Sequence, residues 1–252
     1  MGPVAGQRVL GNQKKQLSPA AAALLLACAA VLVSPTGIAQ PQMHLEMLGP
    51  GGELYTLSVP DGYSPAQPAP LVVSLHFGGP VSPHYGRLLL ESVVEPALRP
   101  LGALMVAPDC NAPAWVAPEC ESFVLDLIDH VANEYAVDRQ RVLLTGYSKG
   151  GIGTWELAAR HPDRFTAAIV MAGRPRPEMS SVDWRVPLYV IHAREDEVLG
   201  LGPTEEIVTA LRDRGVPIEL HILEGVTHYE TQHFASALHR ALPWLERTWG
   251  RP

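Results

Sequence analysis

The chain has 252 residues, 47% hydrophobic and 18% charged, with 19 Lys and Arg against 26 Asp and Glu and a formal net charge of −7. That length and apolar content build one large domain or two small ones around a sizeable core, which excludes a disordered chain. The acidic balance argues against a nucleic-acid partner, because a phosphate backbone is neutralised by clustered Lys and Arg.

The N-terminal segment reads as an address. Arg8, Lys14 and Lys15 precede an unbroken apolar run, Ala20 to Val33, in a stretch without an acidic residue. Small residues at Gly37 and Ala39 then have the spacing of a signal-peptidase site, so residues 1–39 are expected to be a signal peptide. The run is shorter than the roughly 20 apolar residues that cross a bilayer. The mature chain, residues 40–252, is therefore expected in the periplasm or the medium, with no membrane span. Leu25-Leu26-Ala27-Cys28 also resembles a lipoprotein box, with Leu26 where a small residue is usual, so a lipid anchor at Cys28 is the alternative. Cys110 and Cys120 remain in the mature chain. In an oxidising compartment such a pair is a disulfide candidate, and closing that short loop is worth about 2–3 kcal/mol on the chain-entropy model.

Beyond residue 40 the pattern alternates. Glu53–Val59 has the character of an antiparallel edge strand. Leu71–Leu75, Ala103–Ala107, Val142–Thr145, Ala167–Met171 and Leu188–His192 are short, nearly continuous apolar runs, as expected of strands buried on both faces. Between them lie helical stripes. Phe123, Val124, Leu127, Ile128, Val131 and Tyr135 form one. Ile207, Val208 and Leu211 form another, opened by Pro203 and stopped by Gly215, with acids first and Arg212 and Arg214 last as the helix dipole prefers. Ile218–Leu223 is the last expected strand, and Pro243 should split the helical region from Thr231 to Trp249. The expectation is a three-layer α/β domain with a mostly parallel sheet and helices on both faces. Sites in such sheets lie at the carboxyl ends of the strands.

At one of those ends, Val142–Thr145 runs into Gly146-Tyr147-Ser148-Lys149-Gly150-Gly151, and a helix from Ile152 to Arg160 follows. This is G-x-S-x-G in strand–turn–helix context. A Cβ at Gly146 or Gly150 would strike the flanking strand and helix, so the spacing serves a serine held in a sharp turn. A serine hydroxyl needs a histidine base, itself oriented by a carboxylate. The chain order Ser, acid, His points to Asp196 after Leu188–His192, with Glu195 and Glu197 as alternatives, and to His228 after Ile218–Leu223. His221 lies inside a strand, and His233 and His239 on the last helix. For the oxyanion hole, Leu71–Leu75 ends in His76-Phe77-Gly78-Gly79, where a loop N–H can join that of Lys149.

With these residues in view, the chain resembles the serine α/β-hydrolases. The likeness is to the small exported esterases: polyhydroxybutyrate-depolymerase-like, feruloyl-esterase-like and predicted prolyl-oligopeptidase-like hydrolases. It covers roughly Leu71 to the C-terminus. The most specific stretches are Asp138-Arg139-Gln140-Arg141-Val142, the elbow itself, Gly153-Thr154-Trp155 and His161-Pro162-Asp163-Arg164-Phe165. The resemblance implies a single α/β-hydrolase catalytic domain over residues 40–252 that hydrolyses carboxylic esters through an acyl-enzyme, without a cofactor. Metal ligands are not expected, since no H-E-x-x-H or comparable spacing occurs.

Two positions depart from the pattern. Phe77 stands where Gly is usual, so Phe77 or Gly78 is the loop donor. Lys149 replaces a small or apolar residue, and its ammonium is read either as solvated or as meeting a substrate carboxylate or an acid such as Glu195 or Glu197. About 16 residues join Ala167–Met171 to Leu188–His192, too few for a lid domain. The expected substrates are therefore esters with short acyl chains, or bulky and polymeric ones, with Trp115 and Trp184 as cleft walls. The same triad would serve a serine peptidase or an acyltransferase, and a non-catalytic binding protein could use the same fold.

Overall fold

The structure is a computed structural model that describes residues 41–49 and 51–250. The expected leader and Cys28 lie outside those residues.

Eight strands form one sheet: β1 (Gln42–Leu48), β2 (Glu53–Val59), β3 (Ala69–Leu75), β4 (Leu104–Pro108), β5 (Val137–Tyr147), β6 (Ala167–Met171), β7 (Leu188–Ala193) and β8 (Ile218–Leu223). Their spatial order is β1-β2-β4-β3-β5-β6-β7-β8. The β1–β2 and β2–β4 pairs are antiparallel and all others parallel. The runs of β3, β4, β6 and β7 are buried along their whole length, as strands covered on both faces must be. Glu53–Val59 is antiparallel but is not the edge. That place belongs to β1, a half-buried alternating strand that leaves Leu45 and Met47 exposed.

Helices cover the two faces. α3 (Pro118–Glu134), α4 (Lys149–Arg160) and α5 (Gly202–Asp213) close one core around Trp115, Phe123, Trp155 and Leu211. α1 (Gly86–Leu89), α2 (Glu95–Leu98), α6 (Thr231–Arg240) and α7 (Leu242–Thr248) close the other around Val72, Leu90, Phe234 and Leu245. A π-helical turn, Leu90–Val94, joins α1 to α2, with Pro96 in the first turn of α2. Pro96 lacks the N–H an uninterrupted α-helix would need there. Pro243 falls in the first turn of α7, where its fixed φ suits a new helix, so the last helical region is split there.

The connection from β6 to β7 holds only the short 3-10 turn Pro177–Ser181, and no lid helix covers the sheet there. No described helix is long and apolar enough to cross a membrane. A Cys110–Cys120 disulfide, with Cα atoms 5.5 Å apart, ties the loop after β4 to the first turn of α3.

Candidate active site

Strand β5 delivers Ser148 to the carboxyl end of the sheet. The residue has φ +55° and ψ −114°, a conformation that costs an ordinary side chain of order 1–3 kcal/mol. The surroundings impose it. The Ser148 N–H donates to the Met171 carbonyl at 3.0 Å, and the Ile152 N–H begins the helix on the Ser148 carbonyl at 2.9 Å. A Cβ on Gly146 would lie 2.4 Å from the Gly150 carbonyl oxygen, and one on Gly150 only 1.9 Å from that of Leu75. The glycine spacing is thus a consequence of backbone contact. Ser148 stays half-buried and reachable.

Two loops bring the other members. His228, five residues beyond β8, places Nε2 2.9 Å from Ser148 Oγ. Its Nδ1 lies 2.7 Å from Asp196 Oδ2, three residues beyond β7. The carboxylate can only accept, so Nδ1 carries the proton and Nε2 is free to accept from the serine hydroxyl. Asp196 Oδ1 accepts the N–H groups of Val198 at 2.9 Å and Leu199 at 2.7 Å. Burial pushes the Asp196 carboxyl up, but the His228 and backbone hydrogen bonds outweigh it and hold the pKa below the usual range.

The flanking acids do something else. Glu195 accepts the N–H of Val226 at 3.2 Å, Glu230 that of Thr227 at 2.8 Å, and Glu197 that of His228 at 3.0 Å. Three consecutive N–H groups of the histidine loop are therefore held by carboxylates. The buried Tyr147 hydroxyl donates to the His228 carbonyl, and burial raises its pKa. Of the other histidines weighed for the base, His221 lies in β8, while His233 and His239 lie in α6.

Sequence reasoning passed over two buried histidines. His192, at the end of β7, sits 3.4 Å from Asp196 Oδ2, donates from Nε2 to the Leu199 carbonyl at 2.9 Å, and receives the Thr204 hydroxyl at Nδ1. His76, at the end of β3, is likewise fully buried. Burial lowers the pKa of both, so both stay neutral. Their runs showed them only as polar residues closing apolar strands, which carries no information about partners.

The oxyanion candidates lie close together. A Cβ on Gly78 would be 3.8 Å from Lys149 Cβ, which places the loop after β3 beside the start of α4. Lys149 opens that helix, whose first N–H groups have no intrahelical acceptor. Its side chain meets no carboxylate. The ammonium donates to the carbonyls of Cys110 at 3.2 Å and Ala112 at 2.7 Å and stands 5.9 Å from the Trp115 ring centre.

The two tryptophans expected as cleft walls are core residues. Trp115 is 1% exposed, donates to the His76 carbonyl and packs where a Cβ on Gly153 would lie 2.5 Å from it. Trp184 is 7% exposed, donates to the Met179 carbonyl and packs edge-on against Trp155. Their size and their single polar atom are both satisfied internally. A cavity of about 720 Å³ is lined by Ile152 of α4 with Pro113, Arg174, Pro175 and Pro203, and Ser148, Asp196 and His228 are not part of its lining. Among the described residues, no group of three or more His, Cys, Asp or Glu side chains is gathered as metal ligands would be.

Comparison with known proteins agrees with this architecture. The Dienelactone hydrolase family model matches residues 115–237, a stretch holding Ser148, Asp196 and His228. Feruloyl esterase C of Emericella nidulans is 28% identical over 162 residues, 60% of this chain and 57% of that enzyme. Feruloyl esterase D of Neurospora crassa is 26% identical over 172 residues, 64% of this chain and 58% of that enzyme. The chain spans about half the length of the curated relatives it matches. Among solved structures, a thermostable esterase superposes with a TM-score of 0.69 at 22% identity, covering 82% of this chain and 62% of its own. A ferulic acid esterase does so with a TM-score of 0.65 at 18% identity, covering 83% and 98%. The chain is thus similar in sequence to the Dienelactone hydrolase family over residues 115–237, and it shares the α/β fold of these esterases.

Proposed function

We propose that this protein is a carboxylic ester hydrolase in which Ser148 attacks the ester carbonyl and forms an acyl-enzyme. The observation that carries this reading is the unbroken hydrogen-bond chain from Ser148 Oγ through the His228 imidazole to Asp196, set at a strained elbow. His228 takes the serine proton as the tetrahedral intermediate forms and returns it to the leaving alcohol. A water then repeats the sequence to release the acid. Asp196 holds the imidazole in the tautomer that leaves Nε2 unprotonated and favours the imidazolium that appears in each step. The oxyanion meets the N–H of Lys149 and that of Phe77 or Gly78.

The surroundings favour esters whose remote part is bulky. With only a 3-10 turn between β6 and β7, no lid helix stands over that side of the sheet, and Tyr229, 73% exposed, follows His228 on the surface. Esters with short acyl chains, or bulky and polymeric esters, suit such an open site, and the feruloyl esterase relatives make feruloyl esters the first bulky substrates to try. The disulfide suits an oxidising compartment, in keeping with export of the mature chain.

The test compares hydrolysis of p-nitrophenyl acetate, p-nitrophenyl butyrate and methyl ferulate by the chain and by Ser148→Ala. The variant should lose about 10⁵-fold or more in kcat. Equal rates in two folded proteins would remove the serine mechanism.

A further inference from the structure

Four groups beside Ser148 take no part in the proton relay, yet they form one connected set: the Lys149 ammonium, the His76 imidazole, the Trp115 indole and the Cys110–Cys120 disulfide. The Lys149 ammonium holds the carbonyls of Cys110 and Ala112. The Cys110 N–H donates to His76 Nε2 at 2.9 Å, which leaves the imidazole proton on Nδ1. Nδ1–H in turn donates to the Phe77 carbonyl at 2.7 Å. Trp115 Nε1–H donates to the His76 carbonyl at 3.2 Å.

The last two bonds grip successive peptides by their carbonyls. In a rigid trans peptide the N–H points opposite the C=O. Holding the carbonyls of His76 and Phe77 therefore sets the directions of the N–H groups of Phe77 and Gly78. These are the two loop groups available as the second oxyanion donor. The first donor, the Lys149 N–H, belongs to the residue whose own side chain holds the disulfide loop, and that loop in turn meets His76 through the Cys110 N–H. A half-buried ammonium at the positive end of a helix is unfavourable, and burial lowers the Lys149 pKa. Two carbonyl acceptors and an indole face offset that cost, which a lysine left in solvent would not need.

We propose that Lys149, His76 and the disulfide loop act as a positioning brace that fixes the two oxyanion donors relative to each other. The inference rests on Ser148 being the nucleophile. Oxyanion donors act only within a few tenths of an ångström of their target, and losing one outright costs about 10²–10³ in kcat. Loosening the pair should show mainly in kcat.

The experiment measures kcat and KM for p-nitrophenyl butyrate, together with the rate of labelling by a fluorophosphonate, for four forms beside the parent. These are Lys149→Met, Lys149→Arg, the double variant Cys110→Ala/Cys120→Ala, and the triple variant Lys149→Met/Cys110→Ala/Cys120→Ala. Lys149→Met should lower kcat and labelling about tenfold to a hundredfold, with KM within about threefold of the parent. Lys149→Arg should recover most of the loss, since a guanidinium can serve the same carbonyls. The double variant should lose a similar factor, and the triple variant no more than the larger of the two, because both break one device. Unchanged kcat in Lys149→Met, no recovery in Lys149→Arg, or losses that multiply in the triple variant would each overturn the brace. If the cysteine variants fail to fold, the Met and Arg pair, checked by circular dichroism, still decides. A parent chain that neither hydrolyses the ester nor takes the label removes the nucleophile reading itself. A parent that is labelled no faster than Lys149→Met removes only the brace.

Discussion

The two sides of Ser148 are built differently. On the histidine side the loop is seated by carboxylates, with Glu195, Glu230 and Glu197 taking three successive N–H groups and Asp196 taking the imidazole. On the other side, the loop after β3 is held by a neutral buried imidazole, an indole and a segment closed by a disulfide. On the proposed reading the contrast has a physical reason. The base gains and loses a proton in every cycle, and acids around it favour its charged form. Oxyanion donors must stand still while negative charge appears between them, so contacts that do not change protonation during the cycle suit them.

Replacing Asp196 tests the histidine side with the largest expected effect. Asp196→Asn removes the acceptor that keeps the proton on Nδ1, and kcat should fall by about 10⁴ while the fold persists. Hydrolysis of p-nitrophenyl butyrate retained above about a hundredth of the parent rate would mean that the carboxylate does not set the tautomer.

A pH series probes both sides together, since each contains one buried neutral histidine. Burial lowers the folded-state pKa of His76 and His192 below the ordinary value near 6.5. Their contribution to stability is complete above that ordinary value and is lost as pH falls through it toward the lowered ones. The melting temperature should therefore drop between pH 7 and pH 5, by about 2–4 °C for each kcal/mol lost in a chain of this size. Asp196, whose pKa is also lowered, adds its loss only below the ordinary carboxylate value of about 3.9. A melting temperature flat from pH 7 to pH 5 would sink the assignment of both histidines as obligate neutral groups.

The smallest effect is expected from Glu197→Ala. Glu197 is itself exposed, and its loss frees only the backbone N–H of His228, so it should cost about threefold to tenfold in kcat and about 1 kcal/mol in stability. A loss as large as that of Asp196→Asn would place Glu197 in the relay, and the difference between the two sides would have to be redrawn.

Much of this site can be read along the chain. The elbow pattern is local, with Gly146, Ser148 and Gly150 within five residues; a Cβ on Gly146 would strike Gly150 of the same stretch, while one on Gly150 would strike Leu75 at the end of β3. Asp196 stands out because it follows the apolar run of β7, which is buried throughout, and His228 because it follows β8, the last strand expected from the sequence. The helical segments from Gly86 to Leu101 could have been found the same way, from the stripe Leu89, Leu90, Val93, Val94, Ala97, Leu98 and Leu101. Strand β1 also shows its alternation, but it follows the expected leader and its apolar residues stay largely exposed.

Other features have no local signature. A tryptophan between two cysteines reads alike as a cleft wall or as core, and only the arrival of Gly153 against Trp115 decides for core. Lys149 could have met an acid or solvent; the closed loop, 37 to 39 residues away in sequence, presents carbonyls instead. The periodicities and the chain order of serine, acid and histidine are properties of the sequence itself, because strand burial and turn sterics act between near neighbours. Which polar groups the buried side chains of Lys149, His76 and His192 reach was decided by tertiary structure alone, because hydrogen bonds between distant segments depend on where each loop lands over the sheet.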